Sequence, residues 1–231
     1  MKETWAEVAV DGGSMAAFLA RPGEPGPGLV MLQEIFGVNP AMQDKARTFA
    51  AAGYTVVVPD LFWRMTPRIS LGYDDADRKT AFGYMQKFDF ASGIRDIGAT
   101  ARWLEASGMA KGKVGVIGFC LGGKLAVAAT AAYPFGAVAS LYGVQLEADP
   151  GRLEAIQVPL QVHVGDQDAH VPKEAVESIK GILHGKPNAR VFVYPGAQHG
   201  FFNAARPAAF SPASAKHALQ RLTEMFDGAL R

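Results

Sequence analysis

The sequence predicts an α/β fold built on a mostly parallel sheet of about eight strands, with helices on both faces and an antiparallel hairpin at the N-terminus. Strand-like apolar runs alternate with segments of helical spacing along most of the 231 residues, which is typical of parallel strands joined through helices. Several runs, such as residues 28–33, are almost continuously apolar, as expected of strands covered on both faces. Two loosely alternating runs flank Asp11-Gly12-Gly13 and predict the hairpin.

The individual elements follow from periodicity and from turn residues. Residues 41–52 have helical spacing and stop at Gly53, because glycine favours a helix end. Residues 34–40 leave a strand as a loop, residues 61–73 are irregular, and Ser211 is the expected N-cap of the last helix. The predicted strands are residues 5–10, 15–20, 28–33, 54–58, 114–118, 137–142, 160–164 and 190–194, and the predicted helices are residues 41–52, 74–88, 90–107, 121–133, 173–184 and 211–230.

Length and composition limit the class of protein. A single domain over residues 1–231 is expected, since α/β domains often exceed about 200 residues, and a hydrophobic fraction of 49% supports a core without disulfides or metals. The net charge of +1 argues against nucleic-acid or membrane partners. One cysteine and a start without an apolar leader favour a cytoplasmic protein. We expect a monomer or small homo-oligomer that acts on a small molecule.

One stretch carries a nucleophile motif. Residues 114–118 form a β-branched run that ends at a glycine, Cys120 follows on the turn, and small residues lead into a helix. This is the glycine–x–nucleophile–x–glycine elbow between a strand and a helix. Gly118 and Gly122 meet its demand for small neighbours, and the helix N-terminus favours negative charge on the sulfur. The alternative is that Cys120 is a small buried hydrophobic residue, as many free cysteines are.

Two later strand ends supply an acid and a histidine. The strand at 160–164 runs into Asp166 and Asp168, and the strand at 190–194 runs into a loop with His199. The order nucleophile, acid, histidine is that of α/β-hydrolases, and we favour Asp168 as the acid. The alternatives are that His199 only caps a turn, that Asp166 takes the acid role while Asp168 forms an Asx turn, or that both bind a metal with His170. We expect no metal, since a matching second group of ligands is missing.

Longer motifs around these residues resemble the dienelactone hydrolase family. They are Gln33-Glu34-Ile35-Phe36-Gly37-Val38-Asn39, Pro59-Asp60-Leu61, the elbow through Gly123, Gln167-Asp168 with Val171-Pro172, and His199 after Gly196. The resemblance implies an α/β-hydrolase fold and a Cys120–His199–Asp168 triad without a cofactor. It also implies that Glu34 lies beside the thiol and helps to control its proton. The backbone N–H groups of Leu121 and Ile35 would form the oxyanion hole.

The sequence departs from the family pattern where the substrate binds. Dienelactone-opening members hold a substrate carboxylate with two arginines and a tyrosine. Arg78 matches the first arginine, but Phe82 replaces the tyrosine and Asn203 replaces the second arginine. Losing such charge-assisted contacts weakens carboxylate binding, since each is worth about 1.5–3 kcal/mol. The pocket is therefore expected to be more apolar; its expected aromatic residues are Phe36, Phe82, Phe201 and Phe202.

The leading hypothesis is a cysteine-dependent hydrolase of small esters or lactones that works through an acyl-enzyme. A rival is a thioesterase or acyl transferase with the same triad. Another is a non-catalytic binding or redox-sensing protein on the same fold.

Overall fold

The structure is a computed structural model that describes all 231 residues and contains one eight-stranded sheet. The strands are β1 (Lys2–Val10), β2 (Gly13–Arg21), β3 (Gly26–Leu32), β4 (Thr55–Pro59), β5 (Ala110–Phe119), β6 (Val138–Leu141), β7 (Leu160–Gly165) and β8 (Ala189–Tyr194). Their order in the sheet is β1-β2-β4-β3-β5-β6-β7-β8. β1 and β2 form the predicted antiparallel hairpin, β2 is also antiparallel to β4, and all other neighbours are parallel.

Seven helices cover the sheet on both faces, as predicted. They are α1 (Pro40–Ala51), α2 (Asp75–Lys87), α3 (Phe90–Ala106), α4 (Leu121–Ala128), α5 (Pro150–Ala155), α6 (Lys173–Ile182) and α7 (Pro212–Leu230). Apolar residues of α1 and α7 belong to one core cluster, and those of α3, α4 and α6 belong to another. The continuously apolar strands between these layers are buried, which explains why they lack alternation. No helix has both the length and the apolar character needed to cross a bilayer.

Two helices differ in detail from the prediction, and the predicted N-cap residue of the last helix is confirmed. The helix expected at 121–133 ends at Ala128 and continues as a short 3-10 turn (Ala129–Ala131). Helix α5 is absent from the sequence-based assignment because six residues are too few to show a helical period. Ser211 stands at the N-cap of α7, but its hydroxyl donates to the hydroxyl of Ser214 at 2.9 Å and caps no backbone N–H.

The sheet order brings two functional loops together. The chain lays β4 on one side of β3 and then crosses to lay β5 on the other side, and such a reversal leaves a crevice at the carboxyl ends of the strands. Leu32 at the end of β3 is in register with Gly118 of β5. Glu34 and Cys120 each follow two residues later, so both emerge at the same edge of the sheet.

The turn after β5 has the backbone expected of a nucleophile elbow. Cys120 has φ 56° and ψ −116°, a region that residues with a side chain rarely occupy. A Cβ atom on Gly118 would overlap the carbonyl oxygen of Gly122, and one on Gly122 would overlap that of Leu32. Only glycine at both positions lets the strand, the turn and β3 approach this closely.

This packing makes Gly118→Ala a destabilising change. We expect the free energy of unfolding to fall by about 2–4 kcal/mol, because the added methyl group meets backbone that cannot rotate away. Urea unfolding measures it. The matched control is Gly181→Ala, at a position on α6 with open space around it, which should raise stability by up to about 1 kcal/mol. Equal effects of the two substitutions would contradict the close approach.

Candidate active site

Cys120 opens onto a cavity at the carboxyl edge of the sheet. Its backbone N–H donates to the carbonyl oxygen of Leu141 at 3.0 Å, which ties the turn to the end of β6. The side chain is partly exposed and lines a cavity of about 550 Å³. The thiol is therefore not enclosed in the core, in contrast to the alternative considered from the sequence.

His199 lines the same cavity and is held by Asp168. The Nδ1 atom of His199 lies 3.0 and 2.9 Å from the two carboxylate oxygens of Asp168. Oδ1 of Asp168 also accepts from the backbone N–H groups of His170 at 2.8 Å and Val171 at 3.1 Å. From the sequence, an Asx turn and a contact to histidine were alternative roles for an aspartate in this loop. Asp168 has both roles. Asp166 instead accepts from the N–H of Gly196 at 2.7 Å and joins the two loops.

The ionisation of His199 reflects its neighbours. Burial of the ring disfavours its charged form, but hydrogen bonding to Asp168 and Cys120 outweighs that effect and raises the pKa of His199 to about 10. The ring therefore carries a proton at neutral pH. Edge-on contacts to Tyr142 at 5.0 Å and His170 at 4.6 Å between ring centres fix its orientation.

Glu34 is a buried carboxylate whose two oxygens are both engaged. The hydroxyl of Tyr142 donates to Oε1 at 2.9 Å, and the amide of Asn203 donates to Oε2 at 3.1 Å. Burial and the charge of Glu34 raise the pKa of Tyr142 well above its usual value, so the phenol remains a donor. Tyr142 directly follows β6 and has φ 40°. Sequence reasoning overlooked it, although a polar residue at a strand end was the available signal.

The heptapeptide that begins at Gln33 has a structural explanation. Asn39 caps α1 through Oδ1, which accepts from the N–H of Met42, and its amide donates to the carbonyl oxygen of Leu71 and the hydroxyl of Tyr73. Gly37 has φ 76°, and a Cβ there would overlap the carbonyl oxygen of Ile69. The loop after β3 is thus held beneath the segment around residues 69–73, and this contact orients Glu34.

The two residues expected to form the oxyanion hole, Leu121 and Ile35, both have a backbone N–H group without a backbone partner. Leu121 occupies the first turn of α4, where N–H groups have no partner within the helix. Ile35 lies in the loop after β3, and its N–H makes no backbone hydrogen bond. Both residues line the cavity with Cys120.

The cavity wall includes some of the expected substrate-contact residues and excludes others. Arg78, Phe36 and Phe82 line it. Phe201 does not, because it is fully buried against the rings of Tyr142 and Tyr194. Asn203 is 1% exposed, and its side-chain amide donates hydrogen bonds to Glu34 and to the hydroxyl of Tyr73. The expectation that Phe201 and Asn203 contact substrate is therefore corrected: Phe201 belongs to the core, and Asn203 holds Glu34.

No group of three or more His, Cys, Asp or Glu side chains is arranged to hold a metal ion.

Known proteins resemble this chain in sequence and in fold. The dienelactone hydrolase family model matches residues 15–230. The carboxymethylenebutenolidase of Pseudomonas putida is 34% identical over 193 residues, which are 83% of this chain and 82% of that protein. Carboxymethylenebutenolidase 1 of Cupriavidus pinatubonensis is 31% identical over 198 residues, or 85% of this chain and 84% of that protein. The chain belongs to the dienelactone hydrolase family.

Membership of this family makes the chain a hydrolase with an α/β-hydrolase fold, as the sequence motifs indicated. A crystal structure of dienelactone hydrolase from Anabaena variabilis has the same fold, with a TM-score of 0.72 over 100% of this chain and 99% of that one. At 20% identity that likeness concerns the fold alone.

This family member has a cationic cavity that the sequence did not reveal. Arg78, Lys124 and Arg206 all line it, and Glu34 is the only carboxylate on its wall. Arg206 lies three residues after Asn203, with its guanidinium 5.9 Å from the centre of the Tyr73 ring. The ion pairs of the structure include neither Arg206 nor Lys124. No motif marks Arg206, because only the fold of the loop after His199 turns it into the cavity.

Lys45 is a further unexpected cation, and it is buried next to the residue that precedes Cys120. It is 5% exposed on α1, and its ammonium has no hydrogen-bond partner. Nζ lies 5.3 Å from the ring centre of Phe119, the residue before Cys120. Burial lowers the pKa of Lys45, and the charge of Glu34 offsets this only in part.

The unusual pKa of His199 can be measured directly. In an NMR titration its ring should titrate near pH 10, and Asp168→Asn and Cys120→Ala should each move the pKa down, because each removes a group that stabilises the charged ring. His170 is an internal control, since burial and the charge of His199 lower its pKa below the usual value. A His199 pKa that does not respond to Asp168→Asn would contradict the hydrogen bond.

The buried ammonium of Lys45 predicts a stabilising substitution. Lys45→Met should raise the free energy of unfolding at pH 7 by about 1–2 kcal/mol, because it removes a desolvated charge and keeps the side-chain volume. Because the pKa of Lys45 is lower in the folded protein than the usual 10.5, its burial destabilises the fold at pH values where the side chain is charged. This destabilisation fades as the pH rises toward 10.5. The gain over wild type should therefore shrink at alkaline pH. Lys216→Met, at an exposed position on α7, is the control, and a loss of stability in Lys45→Met would show that attraction to Glu34 dominates.

Proposed function

We propose that this member of the dienelactone hydrolase family hydrolyses small esters and lactones with Cys120 as nucleophile. The observation that carries the proposal is the bond between His199 and Asp168 in the cavity that Cys120 also lines. A nucleophile, a base and a group that orients the base are the parts that covalent acyl transfer requires.

In the proposed acylation step, the sulfur of Cys120 attacks the substrate carbonyl carbon while the thiol proton resides on His199. The electron pair of the carbonyl bond moves to the oxygen, where the N–H groups of Ile35 and Leu121 stabilise the negative charge. Donors of this kind are each worth about 2.7–4 kcal/mol in the transition state. As the tetrahedral intermediate collapses, the carbon–oxygen bond to the leaving group breaks and His199 gives its proton to that oxygen.

In the proposed deacylation step, water attacks the thioester carbonyl and His199 takes its proton. The carbon–sulfur bond then breaks, which releases the acid and leaves the thiolate of Cys120 beside the protonated ring of His199. A lactone gives a hydroxy or keto acid as a single product, since its leaving group stays attached to the acyl chain. Asp168 keeps the ring of His199 oriented through both steps.

We propose that Glu34 controls the proton of Cys120. Support comes from its position at the edge shared by β3 and β5 and from the two donors, Tyr142 and Asn203, that hold its oxygens. In this proposal Tyr142 and Asn203 are positioning residues. Asn203 occupies the position of the family's second arginine, and it gives Glu34 a hydrogen bond without a positive charge.

The cations on the wall favour a substrate with an anionic group. Arg78 and Arg206 both adjoin Tyr73: Nη2 of Arg78 donates to its backbone oxygen at 3.4 Å, and Arg206 faces its ring. We propose that these two arginines bind a substrate carboxylate although position 203 is an asparagine. The names of the curated relatives specify a carboxymethylene-substituted butenolide, a lactone of this kind.

A panel of lactones and aryl esters, each with and without a carboxylate, tests the proposal. Cys120→Ala should lower kcat/KM by at least about 10³-fold on every substrate that wild type hydrolyses, and mass spectrometry of quenched wild type should find the acyl group on Cys120. Turnover that survives in Cys120→Ala would overturn the mechanism. A product made only with an added alcohol or thiol would favour acyl transfer, and no turnover of any panel member would favour a binding protein.

A further inference from the structure

Lys124 occupies the wall of the cavity at a distance from the two arginines. It lies in the first turn of α4, four residues after Cys120, and lines the cavity together with it. No carboxylate forms an ion pair with its ammonium. Nζ donates to Oε1 of Gln145 at 2.7 Å and lies 5.1 Å from the ring centre of Phe90. Gln145 itself has φ 55°, a conformation that is costly outside glycine and is often found at functional sites.

One wall of the cavity has a cation at each end. This wall follows α2 and the start of α3 from Arg78 through Phe82 and Met85 to Phe88 and Phe90. The helical rise from Arg78 to Phe88 amounts to about 15 Å. Arg78 thus marks one end, and Lys124, which packs on Phe90, marks the other. The stretch between them is aromatic and aliphatic.

The two ends face different parts of the substrate in the proposed reaction. His170 packs on His199 with 4.6 Å between ring centres. A Cβ atom on Gly200, the residue after His199, would lie 2.7 Å from Nη1 of Arg206, and Arg78 and Arg206 both contact Tyr73. The arginines are therefore on the histidine side, where His199 protonates the leaving group. The acyl group then extends away from His199, along α4 toward Lys124.

We propose that Lys124, held by Gln145, is a second anion subsite that binds a carboxylate carried on the acyl part of the substrate. The inference rests on the proposed function and names its substrate class: esters of dicarboxylic acids in which one carboxylate remains free. An ammonium on an apolar wall has lost part of its hydration, so a carboxylate that reaches it gains a charge-assisted hydrogen bond.

The contributions of the two ends of the cavity to substrate binding can be distinguished with four esters. Phenyl hydrogen adipate carries the charge on the acyl side, and its neutral match is the phenyl ester of adipamic acid. 4-Carboxyphenyl acetate carries the charge on the leaving group, and its neutral match is 4-carbamoylphenyl acetate. For each pair the quantity measured is the ratio of kcat/KM for the anionic ester to kcat/KM for the neutral ester.

Lys124→Met should lower the adipate ratio about 10- to 100-fold, the loss of one charge-assisted contact, and should leave the carboxyphenyl ratio within about twofold. Arg206→Met should do the reverse. Lys124→Arg should restore most of the adipate ratio. Lys79→Met removes one positive charge from an exposed position beside Arg78 and controls for the overall field; it should move neither ratio.

An adipate ratio that Lys124→Met does not change would overturn the subsite while Cys120-dependent turnover leaves the proposed function intact. If none of the four esters is hydrolysed in a Cys120-dependent way, the proposed function fails, and calorimetric binding of adipate decides the subsite separately. Adipate that binds wild type and Lys124→Met equally would then overturn it, and binding at least tenfold weaker in Lys124→Met would support it.

Discussion

The left-handed backbone at Cys120 is the constraint on which the rest of the site depends. It turns the chain sharply from β5 into α4, and it is possible only because Gly118 and Gly122 have no side chains to collide. The same turn packs against the carbonyl oxygens at the end of β3. The close approach that exposes the thiol therefore also sets the distance to Glu34 and to the N–H of Ile35. Strain at one residue is compensated by a tightly packed layer of backbone behind it.

Two charged residues near Cys120, Glu34 and Lys45, are buried, and they differ in whether hydrogen bonds compensate the burial. Glu34 is buried with both oxygens hydrogen-bonded, an arrangement that keeps a carboxylate in the interior at little cost. Lys45 is buried without a hydrogen-bond partner, and desolvation disfavours its charge. Of the three cations on the cavity wall, Lys124 and Arg206 form no ion pair with a carboxylate. Arg78 has only Asp75 at 3.8 Å, and this partner is fully exposed and contributes little. This imbalance of charge is the basis of the proposed preference for anionic substrates.

Much of the fold and part of the site could be predicted because both follow from local pattern. Apolar runs and helical spacing identified every strand, and the turn residues after three strands identified Cys120, Asp168 and His199 as candidates. Predictions about the cavity wall were weaker. Phe201 and Asn203 follow His199 closely in sequence, yet the loop folds both inward, one into the core and the other onto Glu34. Spacing within a loop carries no information about which side chains face out.

The sequence by itself determined the α/β class, the elbow and the strand ends that carry polar groups, because periodicity and glycine placement act over a few residues. Tertiary structure alone decided which strand ends are neighbours, through the reversal at β3 that sets Glu34 beside Cys120. It also decided that Arg206 and Lys124 share one cavity although they are far apart in the chain. Contacts of that kind depend on how separate elements pack against one another, and the residue pattern of one element does not specify which other elements it contacts.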